Sequence, residues 1–268
     1  MDSRPIGVFD SGLGGLTAMR ELTHLLPREE IVYFGDSGRV PYGTKSREVI
    51  VKYTHQDIRF LKTFDVKAIL VACGTVSTNA DLGLLGKRYQ VPIYGVVDPA
   101  AQKAVAVTRN KKVGLVATPA SIRSGAYRRA LSTLDPDLEI FENACPLFVP
   151  IVEAGRFRAG DPLAELLTAE YLQPLRDAGV DTLILGCTHY PLLAQVISAY
   201  MGPEVTLVSP GAEAAEALSR SIVPCQGQEE GRRRFFVSDS TAAFAELAAL
   251  FLQEPVQGSV EKVEIEKY

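Results

Sequence analysis

The sequence predicts an α/β protein of two pseudo-symmetric, doubly wound domains with parallel sheets and an active site in the interdomain cleft. Three observations carry this. Short apolar runs alternate with longer stretches whose apolar residues recur at helical spacing. The short runs are almost continuously apolar, as strands covered on both faces must be. Landmarks of the first half also recur, in order, in the second.

Strands are predicted at 6–9, 31–35, 68–71, 93–96, 112–116, 139–143, 182–185 and 205–208, with a further strand-like run at 235–238. Helical patterns include 16–26, 46–64, 122–134, 212–221 and 241–252. The tail from Val260 to Ile265 alternates like an exposed edge strand. A boundary is expected near Val97-Asp98-Pro99 and a return of the chain near Ser209-Pro210-Gly211. The expected division is therefore 1–97 with 208–268 as a discontinuous first domain and 98–207 as the second. At 268 residues the chain is long enough for two cores.

Three landmarks define the repeat. Val8-Phe9-Asp10-Ser11-Gly12 pairs with Gly114-Leu115-Val116-Ala117-Thr118, and Glu30-Ile31-Val32-Tyr33-Phe34 pairs with Glu139-Ile140-Phe141. Ala68-Ile69-Leu70-Val71-Ala72-Cys73-Gly74-Thr75 pairs with Thr182-Leu183-Ile184-Leu185-Gly186-Cys187-Thr188-His189. In sheets of this kind ligands bind beyond the carboxyl ends of the strands. Asp10, Ser11, Cys73, Thr118 and Cys187 all fall at such ends. Two thiols, one from each half, suit a reaction that removes a proton from one face of a carbon and returns one to the other.

Composition narrows the classes. Hydrophobic residues make up 47% and charged residues 22%, with a net charge of −4, as in a soluble globular protein. Arg232-Arg233-Arg234 is the densest basic run and stands beside Glu230, so nucleic acid is not expected as the main ligand. No secretory leader or bilayer-length apolar run is read, so no membrane role is expected. The four cysteines lack C-x-x-C spacing, which argues against a structural zinc site and for a reducing cytoplasm. Cys145 and Cys225 are expected to be small buried hydrophobes. Cys73 and Cys187 stand at helix starts, where a lowered thiol pKa is expected.

Of the three histidines, His24 and His55 fall on helical patterns and are read as solvated or packed. His189, two positions from Cys187, is the acid/base candidate. Asp10-Ser11-Gly12-Leu13-Gly14-Gly15 is a glycine-rich turn between strand and helix. Its spacing is not that of a dinucleotide loop. The reading preferred is a helix start that offers N–H groups to a carboxylate, with Asp10 acting on a neighbouring thiol.

Four motifs together resemble the glutamate racemases of the aspartate/glutamate racemase superfamily. They are Val8 to Gly15, then Tyr33-Phe34-Gly35-Asp36 with Arg39-Val40-Pro41-Tyr42-Gly43, then Cys145-Pro146 with Val149-Pro150 and Glu153, then Gly186-Cys187-Thr188-His189-Tyr190-Pro191. The resemblance implies a cofactor-independent enzyme, with no metal, that interconverts L- and D-glutamate for peptidoglycan, works in the cytoplasm and forms a homodimer. It implies that Cys73 acts on D-glutamate and Cys187 on L-glutamate, with Asp10 assisting Cys73, His189 assisting Cys187 and Glu153 nearby. It further implies substrate binding by Ser11, Pro41, Tyr42, Gly43, Gly74, Thr75, Thr118, Ser121 and Thr188.

Two positions depart from the family pattern. Gly74 stands where Asn is usual, and Ser121 where Thr is common. A missing hydrogen bond to a charged ligand costs about 1.5–3 kcal/mol. Gly74 is therefore expected to raise KM, with Gly74→Asn lowering it and Asn79 as a possible substitute donor. The alternatives are a racemase of the same superfamily for another substrate such as aspartate, and a non-catalytic binding or regulatory homologue. A nicotinamide oxidoreductase is a remote third.

Overall fold

The computed structural model describes residues 2–225 and 230–268. The strands are β1 Ile6–Asp10, β2 Ile31–Gly35, β3 Ala68–Val71, β4 Ile93–Tyr94, β5 Lys112–Ala117, β6 Glu139–Ala144, β7 Thr182–Gly186, β8 Thr206–Val208, β9 Arg233–Val237 and β10 Val260–Lys262. The helices are α1 Leu16–Leu25, α2 Arg47–Lys62, α3 Gly74–Asn79, α4 Leu82–Tyr89, α5 Val97–Val107, α6 Pro119–Ser124, α7 Ala126–Leu134, α8 Phe148–Glu153, α9 Pro162–Asp177, α10 Ala194–Met201, α11 Pro210–Ser221 and α12 Thr241–Leu252.

Two sheets result, and every pairing between neighbouring strands is parallel. The first has the order β10-β9-β2-β1-β3-β4 and the second β6-β5-β7-β8. The repeat read in the sequence is therefore present in the topology. In each sheet the first strand of the repeat lies between the second and third, and the fourth flanks the third. Cys73 and Cys187 follow the third strand of their repeats, while Asp10 and Thr118 stand at the end of the first. The first sheet is widened by β9 and β10, which come from the C-terminal part of the chain.

The all-apolar strands follow from cover on both faces. In β1, Ile6 and Val8 pack with Leu16, Met19 and Leu22 of α1, while Phe9 packs with Ile58 and Leu61 of α2. In β5, Val113 and Leu115 face a core with Ala100 and Ala104 of α5 and Leu131 of α7, while Val116 faces the opposite side. Each such side chain contributes about 1.5–3 kcal/mol when fully buried. Register is thereby fixed, and with it the side on which each strand end delivers its functional residue.

Several boundaries differ from expectation. The helix expected over 122–134 is two helices, because Gly125 adopts φ +64° and ends α6. The strand expected at 93–96 stops at Tyr94, since Val96 is already helical and caps α5. The expected boundary at Val97-Asp98-Pro99 is thus the first turn of a helix. The tail pairs at the sheet edge only through Lys262, after which Ile265 turns inward and is buried. Cys225 is half-buried, not a core residue, and its backbone N–H donates to Glu29 Oε1 at 2.6 Å. Among the described residues no helix is long and apolar enough to cross a membrane.

Candidate active site

Both repeats aim their strand ends into one cavity of about 370 Å³. Its wall includes Ser11, Pro41, Tyr42, Gly43, Cys73, Gly74, Thr75, Thr118, Glu153, Cys187, Thr188 and His189. Wider grooves of about 730 and 670 Å³ lie elsewhere on the surface and include neither thiol. Of the residues expected at the site, Asp10 and Ser121 are set behind this wall.

Cys73 caps the start of α3 and is 3% exposed. Its thiol donates to Ser11 Oγ at 3.5 Å. Burial, and after it the Asp10 carboxylate, push the thiol up to about 12, against donors from Ser11 and the Val76 N–H. The lowered pKa expected at this helix start is thus not found. α3 is short, and loss of solvent outweighs its N-terminal field. Cys73 therefore rests as a thiol.

Cys187 follows β7 directly. The segment after it is a turn through Thr188 and His189 into a 3₁₀ turn at Tyr190–Leu193, not an immediate α-helix. Cys187 Sγ lies 3.9 Å from His189 Nδ1. On the other side of the ring, Nε2 lies 3.0 Å from Glu153 Oε1. Burial works against an imidazolium here. Hydrogen bonds with Cys187 and Glu153, together with the charges of Cys187 and Asp10, outweigh it and raise His189 to about 10. The ring is held from the side by Phe251, with centroids 5.2 Å apart in an edge-on contact.

Asp10 is fully buried between the halves. Its carboxylate accepts from the Gly12 N–H at 2.9 Å and from the Thr188 hydroxyl at 3.4 Å. Burial raises its pKa, partly offset by His189 and these donors. It acts on Cys73 through charge, while the direct partner of that thiol is Ser11. Ser121 is 1% exposed and its hydroxyl accepts from Thr118 at 3.0 Å and Thr78 at 3.2 Å. It steadies Thr118, whose own hydroxyl bonds Thr75 across the cleft at 3.1 Å. Tyr42 meets the cavity, but its hydroxyl donates to the buried Asp36.

Glycines set the closeness of the halves. A Cβ on Gly14 would lie 2.1 Å from Thr188 Oγ1, and one on Gly43 would lie 2.9 Å from Thr118 Cβ. Asn79, considered as a substitute donor, instead gives its amide to the Thr75 carbonyl at 2.8 Å and is not on the cavity wall. Pro119, Cys145, Pro146, Val149 and Pro150 also line the wall. They form an apolar side that excludes water. The signal for all but Pro119 was present in the Cys145-Pro146 and Val149-Pro150 motif, to which sequence reasoning gave no role beyond Glu153.

The site therefore offers two sulfurs from equivalent strand ends, one prepared as thiol and the other paired with an imidazolium. The Asp/Glu/hydantoin racemase family matches residues 6–218. The chain belongs to this family. A glutamate racemase of Geobacter metallireducens is 43% identical over 270 residues, covering 99% of this chain and 98% of the relative. The glutamate racemase of Francisella tularensis, solved in complex with D-glutamate, is 36% identical with a TM-score of 0.91 and covers all of both chains. That of Thermus thermophilus, solved with beta-chloro-D-alanine, is 42% identical with a TM-score of 0.87 and covers 99% of each. Among the described residues no three His, Cys, Asp or Glu side chains converge as a metal site.

Proposed function

We propose that the protein interconverts L- and D-glutamate without a cofactor, supplying D-glutamate for peptidoglycan. One observation carries the reading: Cys73 and Cys187, from matching positions of the two repeats, line the same cavity. Full-length similarity to glutamate racemases supports glutamate over aspartate, and both thiols with their partners argue against a non-catalytic homologue.

The α-proton of an amino acid is a very weak acid. Without a cofactor to take up charge, the protein must stabilise a carbanion-like transition state with fixed donors in a dry site. Backbone N–H groups of Gly74 and Thr75 at the start of α3 and the Ser11 hydroxyl are the donors proposed, while the hydroxyls of Thr75, Thr118 and Thr188, which already donate within the protein, are proposed to accept from the substrate ammonium. Cys187, as thiolate beside the His189 imidazolium, takes the α-proton of L-glutamate. Cys73, as thiol, gives its proton to the opposite face. The C–H bond on one face breaks, a C–H bond on the other forms, and D-glutamate leaves a Cys187 thiol and a Cys73 thiolate. Asp10 and Ser11 set the Cys73 side; Glu153 orients His189. Pro41, Tyr42, Gly43 and Gly74 shape the substrate pocket through their backbone.

The test is purified protein with L-glutamate and no added cofactor, followed by circular dichroism. The signal should decay to zero and should do so again from D-glutamate. Racemisation of aspartate but not glutamate would reassign the substrate, and no change with either would overturn the reading.

The same reading extends to organisation. Residues 1–97 with 208–268 are proposed as one domain and 98–207 as the other, a division supported by which strands enter each sheet. A homodimer is proposed from the family resemblance and is checked by sedimentation. Cytoplasmic residence is supported by four free cysteines, two of which must stay reduced to act.

A further inference from the structure

Two residues of the second motif, Asp36 and Arg39, have no part in the proton transfer. They lie beneath the turn that carries Pro41, Tyr42 and Gly43 to the cavity. The Arg39 guanidinium is 10% exposed and is held at three points. It donates through Nε to Asp36 Oδ2 at 2.7 Å, through Nη1 to Gln56 Oε1 at 2.5 Å and through Nη2 to Asp57 Oδ1 at 3.2 Å. Its flat face rests on the Tyr53 ring, 3.9 Å from the centroid. The Tyr42 hydroxyl donates to Asp36 and lies 3.4 Å from Asp57 Oδ2. Both carboxylates are fully buried.

We propose that Arg39, with Asp36 and Asp57, is a positioning device for the substrate-facing turn, and that the Tyr42 hydroxyl is the pin joining turn to device. The inference rests on the glutamate racemase reading. Two buried carboxylates sharing one guanidinium are costly to hold, since charge taken from water must be repaid by partners. Burial and the neighbouring Asp36 raise Asp57 well above the ordinary carboxylate range, which lessens the excess negative charge. A simple turn needs none of this. The cluster also reaches outward: Ser238 after β9 donates to Asp36 Oδ1 at 2.7 Å and accepts from the Gly38 N–H at 2.8 Å. The turn is thus pinned to α2 and to the widened edge of the sheet at once. A planar fork bound at three points transmits orientation as a point charge cannot.

None of these groups touches the thiols or the reacting carbon. Their loss should loosen substrate binding and spare the chemical step. The experiment compares wild type, Tyr42→Phe, Arg39→Lys and Arg39→Ala, with folding checked by circular dichroism. Tyr42→Phe keeps the ring in the core and removes only the pin, so it carries the test if Arg39→Ala fails to fold. KM for both enantiomers should rise about tenfold, with kcat within a few-fold of wild type. Arg39→Lys keeps the charge but not the fork and should not restore KM. The D-glutamate concentration that half-protects Cys187 from iodoacetamide should rise by about the same factor as KM. Unchanged KM in folded Tyr42→Phe, full recovery in Arg39→Lys, or a collapse of kcat at constant KM would overturn the proposal. A wild type that neither racemises nor is protected by glutamate would overturn the functional reading and this inference with it; an active wild type with indifferent variants overturns the inference alone.

Discussion

A Cβ placed on Gly74 would lie 2.7 Å from the carbonyl oxygen of Gly186. The residue after Cys73 thus abuts the residue before Cys187. Real Cβ atoms do not approach a backbone oxygen so closely, and neither partner is a side chain that can swing away. Gly74 is the contact that lets the two sulfur-bearing turns approach so closely.

That contact reverses the expectation drawn from the sequence. Gly74→Asn was expected to supply a missing donor and lower KM. In this chain it would instead part the two turns. Overpacking of this kind costs about 1–3 kcal/mol, and a displaced base loses rate steeply, of order 10²-fold for 1 Å. Gly74→Ala and Gly74→Asn should each lower kcat/KM at least about tenfold, measured by circular dichroism from both enantiomers. Improved KM in Gly74→Asn would show that the turns have room.

Each thiol should serve one face. In deuterated water, Cys187→Ser should retain exchange into D-glutamate better than into L-glutamate, and Cys73→Ser the reverse, as followed by proton NMR. Net racemisation should be nearly abolished in both, because both sulfurs act in every turnover. A variant of either cysteine that still racemises well would remove the two-thiol mechanism.

Much of this was legible in the sequence because it depends on local pattern. Continuous apolar strands revealed parallel sheets, and the recurrence of strand, small residue and Cys revealed the repeat that the two sheets share. The strand ends then placed Cys73, Cys187 and Thr118 in one cavity without knowledge of any angle between the halves. What failed to show was what depends on depth. The start of α3 suggested a low thiol pKa, but burial of Cys73 and the charge of Asp10 decide the opposite. Ser121 looks like a wall residue by analogy and stands behind one. The meaning of Gly74 lies in a contact with Gly186, far away in sequence, which no local reading contains.

The pairing of His189 with Cys187 and Glu153 sets an upper pH limit. His189 is raised from its ordinary 6.5 to about 10 in the folded protein. Its contribution to stability is therefore complete below about 6.5 and lost as pH rises through about 10. Turnover from L-glutamate should hold through neutral pH and fall as the imidazolium discharges. Glu153→Gln removes one of the groups that raise His189, so the alkaline limb of kcat/KM should move to lower pH. A limb at the same pH in wild type and variant would show that Glu153 does not hold the proton on His189.

The two sulfurs should differ in reactivity before substrate arrives. Alkylation follows the thiolate, and Cys73 is held as a thiol with a pKa of about 12. Cys187 should therefore be modified first by iodoacetamide at neutral pH, with Cys73 slow despite facing the same cavity. Cys145 is also raised by burial and should be slow as well. Asp10 is one reason for the resistance of Cys73, since its charge repels a second negative charge nearby. Asp10→Asn removes that charge and should speed alkylation of Cys73 while slowing racemisation, because the acid that protonates the second face is no longer held ready. The two effects run in opposite directions, which separates them from a general loosening of the fold, where every cysteine would react faster. Mass spectrometry of partially modified protein reads each site. Cys73 reacting as fast as Cys187 in wild type would show that the free protein is not poised with its base on the Cys187 side.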